Sequence, residues 1–549
     1  MSVEATLLFI LAAVVVVVVV RWISDKTGLP SAALLTVAGI LYAVLPGPNM
    51  QLEPKLILTF VIPPLLYSAA LDSSLIDIRR NMRTVISLSV ALVLATALLI
   101  GLGFSLFVSG ATLAAGVALG AAVAPPDPVA ALAVGRKVGL PSNLVTIIQG
   151  EGLLNDATAL TLLTVAVAAA SGEGFSFPAA VGQFVIAAAG GVVVGIAVAY
   201  AIRLLRRVRA DPISANAVSL ATPFAAYLLG EKLHVSGVLA VVVAGLIIGH
   251  DTPRMATGAS RLQTSAVWRL VDFLLEGLVF LLIGQQLPAV VDKLSDYSAS
   301  TIVIAVAITV GVVLLLRPLW LVLTQLLPRS LHTRLGGEAS AEDGDDQTPR
   351  GKRREKALNG REVVALSWAG TRGVITLAAI FALPDPFPDR DLLQFCAFIV
   401  VLVTLVGQGL TFAPLVNRLG LRANEADKAR QRNEARSASV RAALDRLDEI
   451  QHEQHDHVED HAIENMRRQL DLRLERYRRR LDLLEKADSD DVPHSPQYEA
   501  ALGVRRAVLD AKREELLRWR DAGRLSDEGL RVLERELDHE ERLLPDRSP

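Results

Sequence analysis

From Ala5 to about Leu415 the chain alternates long apolar runs with short polar turns. Apolar runs of about 17–25 residues match the thickness of a bilayer crossed by a helix, and an ordinary soluble domain does not repeat them. Thirteen such spans are predicted, at about 4–20, 29–45, 56–71, 84–108, 111–134, 144–171, 179–202, 213–229, 234–249, 270–288, 300–327, 362–383 and 391–412. Asn216 and Pro223 interrupt the pattern in the eighth. Two polar segments stand apart. Residues 328–361, polar throughout from Gly336 to Arg354, predict a disordered cytoplasmic connector. Beyond the last span the chain is rich in Ala, Arg, Glu, Leu and Gln. It lacks Pro and Gly from Ala423 to Ala487, which predicts helix. Ser489–Ser495 breaks the pattern, and a second helical stretch runs to about Leu544. The predicted organisation is a membrane unit at 1–415 and a helical cytoplasmic tail at 416–549, with a regulatory or dimerising role open to the tail.

Charge orients the spans. The chain is 52% hydrophobic and 20% charged, and its net charge of −2 hides a strong segregation. With the N-terminus outside, the odd-numbered loops face the cytoplasm. The five short ones hold fourteen Lys and Arg, including Arg79, Arg80, Arg83, Arg136, Lys137 and Arg203, against four in the even-numbered loops. That bias follows the positive-inside rule and supports an odd span count. No Lys or Arg precedes the first run and Arg21 follows it, the wrong polarity for a cleaved signal, so a retained first helix is expected. The expected location is the cell membrane, multi-pass, with the C-terminus in the cytoplasm. One cysteine, Cys396, excludes an intrachain disulfide and a cysteine-built metal site. No nucleic-acid partner is predicted.

Ionisable residues inside spanning helices cost roughly 2.5–3.5 kcal/mol each at the centre and require a partner or a task. The fifth span holds Pro125-Pro126-Asp127-Pro128. Three prolines cannot continue a helix, so the backbone breaks there and leaves carbonyls unpaired. The sixth span holds Glu151-Gly152-Leu153-Leu154-Asn155-Asp156. Glu151 and Asn155 share a helix face and can hydrogen-bond each other, while Asp156 turns roughly a hundred degrees away toward a cavity. A carboxylate in low dielectric exchanges protons near physiological pH and, once ionised, is a hard oxygen ligand for a small cation. The twelfth span holds Gly370-Thr371-Arg372-Gly373. Arg372 cannot be discharged and is expected to balance Asp127 or Glu151, leaving Asp156 free to change charge. Glu276 in the tenth span pairs with Arg372 or faces a cavity. Spans five and twelve lie seven apart and run in opposite directions, and broken helices in two inverted halves point to a transport site.

These residues resemble the motifs of the monovalent cation:proton antiporter family that includes NhaP-type and NHE-type exchangers. Asp127-Pro128-Val129-Ala130 resembles the family's Asp-Pro motif, Glu151–Asp156 its Glu-Ser-Leu-Leu-Asn-Asp motif and Arg372-Gly373 its Arg-Gly motif. Pro63–Tyr67, Ser236–Ala240 and Thr404–Gly409 add to the likeness, which covers roughly residues 5–415. It implies thirteen helices in inverted repeats, a homodimer, an elevator-like movement of the core, and no cofactor beyond the transported Na+ and H+. It also implies that Asp156 binds proton and cation in turn, with Asp127, Asn155, Glu151 and Pro126 around it, in an electroneutral one-for-one exchange. Two departures bear on the ion. Gly152 stands where the family has Ser, and Pro126 where it has Thr; some members carry an acidic residue where Ser68 stands. Ser68, the Pro126 carbonyl or water must then supply oxygens.

Four histidines, His452, His455, His457 and His461, crowd the tail and suit a pH sensor, and His457 and His461 are spaced to share a metal. The competing functions are K+/H+ exchange and a cation channel. An intramembrane enzyme lacks a His-Glu-x-x-His or Gly-x-Ser-x-Gly motif, and a primary pump lacks a P-loop.

Overall fold

The computed structural model describes residues 3–44, 57–170, 177–208, 211–326, 358–384, 387–421, 425–453, 457–485, 496–522 and 524–541. It divides into two compact units, Met1–Arg422 and Ala423–Pro549. The described residues are helical almost throughout, as the apolar runs demand: no backbone group can be left unpaired in hydrocarbon.

In the first unit the helices of eight residues or more are α1 (Val3–Thr27), α2 (Ser31–Val44), α3 (Ile57–Leu71), α4 (Met82–Phe107), α5 (Leu113–Val123), α6 (Pro128–Val138) and α7 (Ser142–Ala170). They continue as α8 (Phe177–Val208), α9 (Pro212–Lys232), α10 (Gly237–Met255), α11 (Gly258–Asp292), α12 (Ala299–Leu326), α13 (Gly360–Trp368), α14 (Val374–Phe381) and α15 (Arg390–Leu419). Among the described residues, eight helices are long and apolar enough to cross a membrane, and α2, α3 and α5 are shorter apolar helices. The protein is thus an all-α, multi-pass membrane protein.

Small residues set the closest crossings. A methyl at Gly120 of α5 would meet the backbone of Ala97 on α4, and α2 meets α11 where Thr36 and Gly39 face Gly284. Helices in a bilayer associate through such backbone approach, because lipid is as apolar as leucine. α5 is buried along nearly its whole length, as is the stretch of α7 from Gly150 to Ala159. The largest boundary difference from expectation falls in the tenth span. The tenth span, predicted at 270–288, is the 35-residue helix α11 from Gly258. Its first turns are polar, so the apolar pattern misses them; Thr257 caps the helix by accepting from the Ser260 N–H at 3.3 Å.

The second unit has four helices: α16 (Glu425–Glu453), α17 (His457–Glu485), α18 (Pro496–Asp521) and α19 (Asp527–Glu541). Each expected single stretch is instead a hairpin. Arg467 of α17 pairs with Asp448 of α16, and Arg436 lies over the Tyr477 ring. Lys512 and Arg513 of α18 reach Glu540 and Asp538 of α19 at 2.9 and 2.8 Å. The connector predicted at 328–361 lies almost wholly outside the described residues, as do the side chains of His452, His455 and His457 and the proposed metal sharing; His461 is exposed on α17.

Candidate functional site

Two interrupted helices meet at the centre of the membrane unit. The first breaks between α5 and α6. Pro125 and Pro126 supply no N–H, and the helix restarts with Asp127 as cap: its Oδ1 accepts from the Val129 N–H at 2.9 Å, with Pro128 in the first helical position. The second breaks between α13 and α14, over residues 369–373. The two breaks bond to each other. The Asp127 N–H donates to the Thr371 carbonyl at 2.6 Å, and the Thr371 hydroxyl donates to the Asp127 carbonyl at 3.0 Å.

This crossing gathers four helix ends. Arg372 serves the carbonyl ends. Its Nε donates to Val123 O at 2.9 Å and its Nη2 to Ala124 O at 3.2 Å, both at the end of α5; its Nη1 donates to Gly370 O, after the end of α13. Asp127 serves the N–H ends. It caps α6 and lies against Gly373, which caps α14, so closely that a methyl on Gly373 would overlap its carboxylate. A cation on carbonyl ends and an anion on N–H ends are the pairings that helix dipoles favour. The Arg372 N–H donates to the Thr404 hydroxyl of α15 at 3.0 Å, tying the crossing to the last helix.

α7 passes beside the crossing. Asn155 is fully buried; its Nδ2 donates to the Pro126 carbonyl at 3.0 Å, while its Oδ1 is buried with no donor. Asp156 is 4% exposed, and its side chain makes no hydrogen bond among the described residues. Glu151 is 1% exposed and bonded in two-pronged fashion to Arg317 of α12: Nη2 to Oε2 at 2.8 Å and Nη1 to Oε1. Arg317 also donates from Nε to Leu366 O at 3.0 Å.

Several expected pairings are corrected. Glu151 bonds Arg317, not Asn155, because the guanidinium fork fits a carboxylate better than an amide does. Arg372 balances neither Asp127 nor Glu151 by direct bonding; unpaired carbonyls at two helix ends take its donors. Glu276 makes no ion pair with Arg372 among the described residues. Ser68 donates to Asp272 of α11 at 2.5 Å, which is the hydrogen bond its hydroxyl makes. Gly152 has a packing reason: a Cβ there would lie 2.5 Å from the Pro128 ring. Arg317, Thr404 and Asp272 were not singled out from sequence. Arg317 was open to it, as a charge inside the eleventh apolar run.

Asp156 stands beside the crossing without a bonded partner among the described residues, next to an orphaned amide oxygen and a bent backbone. Such an arrangement has the chemistry to hold a small cation or a proton. The transmembrane sodium/hydrogen exchanger family model matches residues 12–418. An uncharacterized Na+/H+ exchanger of Mycobacterium tuberculosis is 32% identical over 546 residues, covering 97% of this chain and 95% of that one. A sodium, potassium, lithium and rubidium/H+ antiporter of Bacillus subtilis is 30% identical over 395 residues, 69% of this chain and 56% of that one. The solved structure of the sodium proton antiporter MjNhaP1 from Methanocaldococcus jannaschii has a similar fold, with a TM-score of 0.59 over 76% of this chain and 99% of that one, at 18% identity. With a family model spanning most of the membrane unit and a relative matched along nearly its full length, the chain belongs to the sodium/hydrogen exchanger family.

Proposed function

We propose that this secondary active Na+/H+ antiporter, a transporter of pH and ion homeostasis rather than an enzyme, exchanges its ions at Asp156. The observation that carries the assignment is the charge bookkeeping around the crossing. Glu151 is neutralised by Arg317, Arg372 is spent on carbonyls, and Asp127 serves two helix N-termini. Of these four charged residues at the crossing Asp156 is the one without such a partner among the described residues, and a buried carboxylate needs a proton or a cation. Asn155 Oδ1, the second lone pair of the Pro126 carbonyl, Asp127 and water complete an oxygen cage of the kind Na+ takes. One carboxylate that changes charge beside a neutral Asn155 supports electroneutral exchange of one Na+ for one H+. Thirteen spans in two inverted repeats account for two oppositely directed breaks meeting at one point. The surplus of Lys and Arg in alternate loops supports an N-terminus outside and a cytoplasmic C-terminus. A homodimer is supported by resemblance alone, and chemical cross-linking in membranes tests it.

Inside-out vesicles with a pH-sensitive dye test the assignment. Adding Na+ to an established proton gradient collapses it with the parent protein and does not with Asp156→Asn at equal membrane content. Coupled exchange surviving in that variant sinks the assignment. A second reading extends the cargo to K+ and Li+. It is favoured by Gly152, which offers no hydroxyl to tighten the cage, and by the relative whose name includes potassium and lithium. The same vesicles, given each cation in turn, decide it.

A further inference from the structure

A cavity of about 310 Å³ opens between α3, α8, α9, α10 and α11, apart from the crossing: none of Asp127, Asn155, Asp156 and Arg372 lines it. It lies where α8 ends and α9 begins, and where α10 ends and α11 begins. The chain there carries Arg203, Arg206, Arg207, Arg254 and Arg261, so the surplus of Lys and Arg puts the cavity on the cytoplasmic side.

Three arginines line it, Arg206 from α8 and Arg261 and Arg269 from α11. Arg206 makes no hydrogen bond or ion pair among the described residues, and its Nε is buried without an acceptor. Arg261 donates from Nη1 to the Ala256 carbonyl at 2.6 Å. Asp72 and Asp272 line the same cavity, yet none of the three arginines pairs with either among the described residues; Asp272 takes the Ser68 hydroxyl at 2.5 Å instead. An arginine cannot shed its charge, and a buried N–H without an acceptor is costly. The chain's own acids thus leave three guanidinium groups uncommitted around one space.

The spacing on α11 groups them. Arg261, Ser265 and Arg269 recur every fourth residue and share a helix face, with Ser265 between the two guanidinium groups. Ser260, 6% exposed, also lines the cavity, and its hydroxyl makes no hydrogen bond among the described residues. Guanidinium groups from two helices beside a free hydroxyl suit an anion whose oxygens point several ways, as those of a phosphate do. They repel a metal cation. The volume is that of a small-molecule site, which starts at about 300 Å³. Close by in sequence, Leu204, Ile213, Leu262 and Leu270 are each more than half exposed, as side chains that meet acyl chains are. Basic pockets between spanning helices on this side of a membrane suit phosphate headgroups.

We propose that this cavity binds an anionic phosphate ester, held by Arg206 on one side and by Arg261 and Arg269 on the other. Two sources share that chemistry: the headgroup of an anionic lipid, and a soluble phosphate ester of the cytoplasm. The bound ester ties α8 to α11, and the site is independent of the exchange assignment at Asp156.

Binding is read on the full-length protein, purified in detergent and stripped of lipid. Phosphatidylglycerol and glycerol phosphate offer the ester on a lipid and free, whereas phosphatidylcholine carries a cation beside its phosphate. One phosphatidylglycerol per chain by native mass spectrometry, with a saturable rise in unfolding temperature and no such binding of phosphatidylcholine, identifies a lipid source. A saturable rise with glycerol phosphate and none with phosphatidylglycerol identifies a soluble one, and a response to both means that the ester alone is recognised. In each case Arg206→Gln with Arg261→Gln weakens binding about tenfold or more. Ser265→Glu sets a carboxylate between the arginines from an exposed position, weakens binding as much, and serves if the double variant does not fold. Arg254→Gln, exposed on α10 and outside the lining, leaves binding unchanged. Four results overturn the site: binding of neither probe, equal retention of the two lipids, binding that survives both cavity variants, or an equal loss in Arg254→Gln.

Discussion

At the scale of the residue, the buried pair between Glu151 and Arg317 decides which carboxylate is free. Both side chains are sealed from solvent, at 1% and 3% exposure. Such a pair contributes little net stability over apolar side chains of the same size, but breaking it strands a charge at roughly 3–5 kcal/mol. Glu151→Leu is therefore expected to lower the unfolding temperature in detergent markedly, and Arg317→Met likewise. The double replacement Glu151→Leu with Arg317→Met recovers most of the loss, so the cycle shows strong coupling. Additive losses across the four proteins would refute the pairing. Half of this was legible in the chain. Glu151 stood out as an acid in an apolar run, and Arg317 has the same standing. Their pairing was not legible, because 166 residues separate them and only the packing of α7 on α12 brings them together. The same holds for Asp272 and Ser68, 204 residues apart.

At the scale of the element, the two breaks were readable because their causes are local. Prolines remove donors and glycines relax the backbone, so interruptions at 124–127 and 369–373 follow from residue types alone. What closes the breaks was hidden, since the partners of Arg372 are carbonyls of Val123, Ala124 and Gly370, and every residue has one. Gly373 is the tightest point of the crossing. Its φ of −135° is open to any residue, so the constraint is space and not conformation. A methyl there meets the Asp127 carboxylate, which cannot retreat without leaving the cap of α6. Gly373→Ala is expected to abolish Na+/H+ exchange in vesicles even where the protein reaches the membrane. Thr404→Val removes the acceptor of the Arg372 N–H and leaves a buried donor unmet, at about 1–3 kcal/mol. It lowers the unfolding temperature while Asp156 keeps its chemistry. Wild-type exchange in Gly373→Ala would show that the two half-helices do not need their present contact.

At the scale of the whole molecule, the boundary between the apolar unit and the polar tail was legible from composition, while the tail's own fold was not. Residues 423–487 carry no Pro or Gly, yet α16 and α17 are two separate helices that pair with each other rather than one. The hairpin pairs are held by exposed ion pairs and a few apolar contacts, Leu509, Leu516 and Leu537 between α18 and α19. Exposed ion pairs contribute about 0–1 kcal/mol each and weaken with salt. The tail is accordingly expected to melt below the membrane unit, and to melt earlier still in high salt. The membrane unit holds the crossing, the Glu151–Arg317 pair and Asp156 within residues 1–422, and its two largest core clusters are built from residues of that unit. A chain ending at Arg422 is therefore expected to fold and to exchange Na+ for H+ in vesicles, and a regulatory tail appears only as a changed pH dependence of that exchange. A truncated protein that inserts and folds but does not exchange ions would mean that the tail is part of the transport machinery, and the division between the two units would have to be drawn elsewhere.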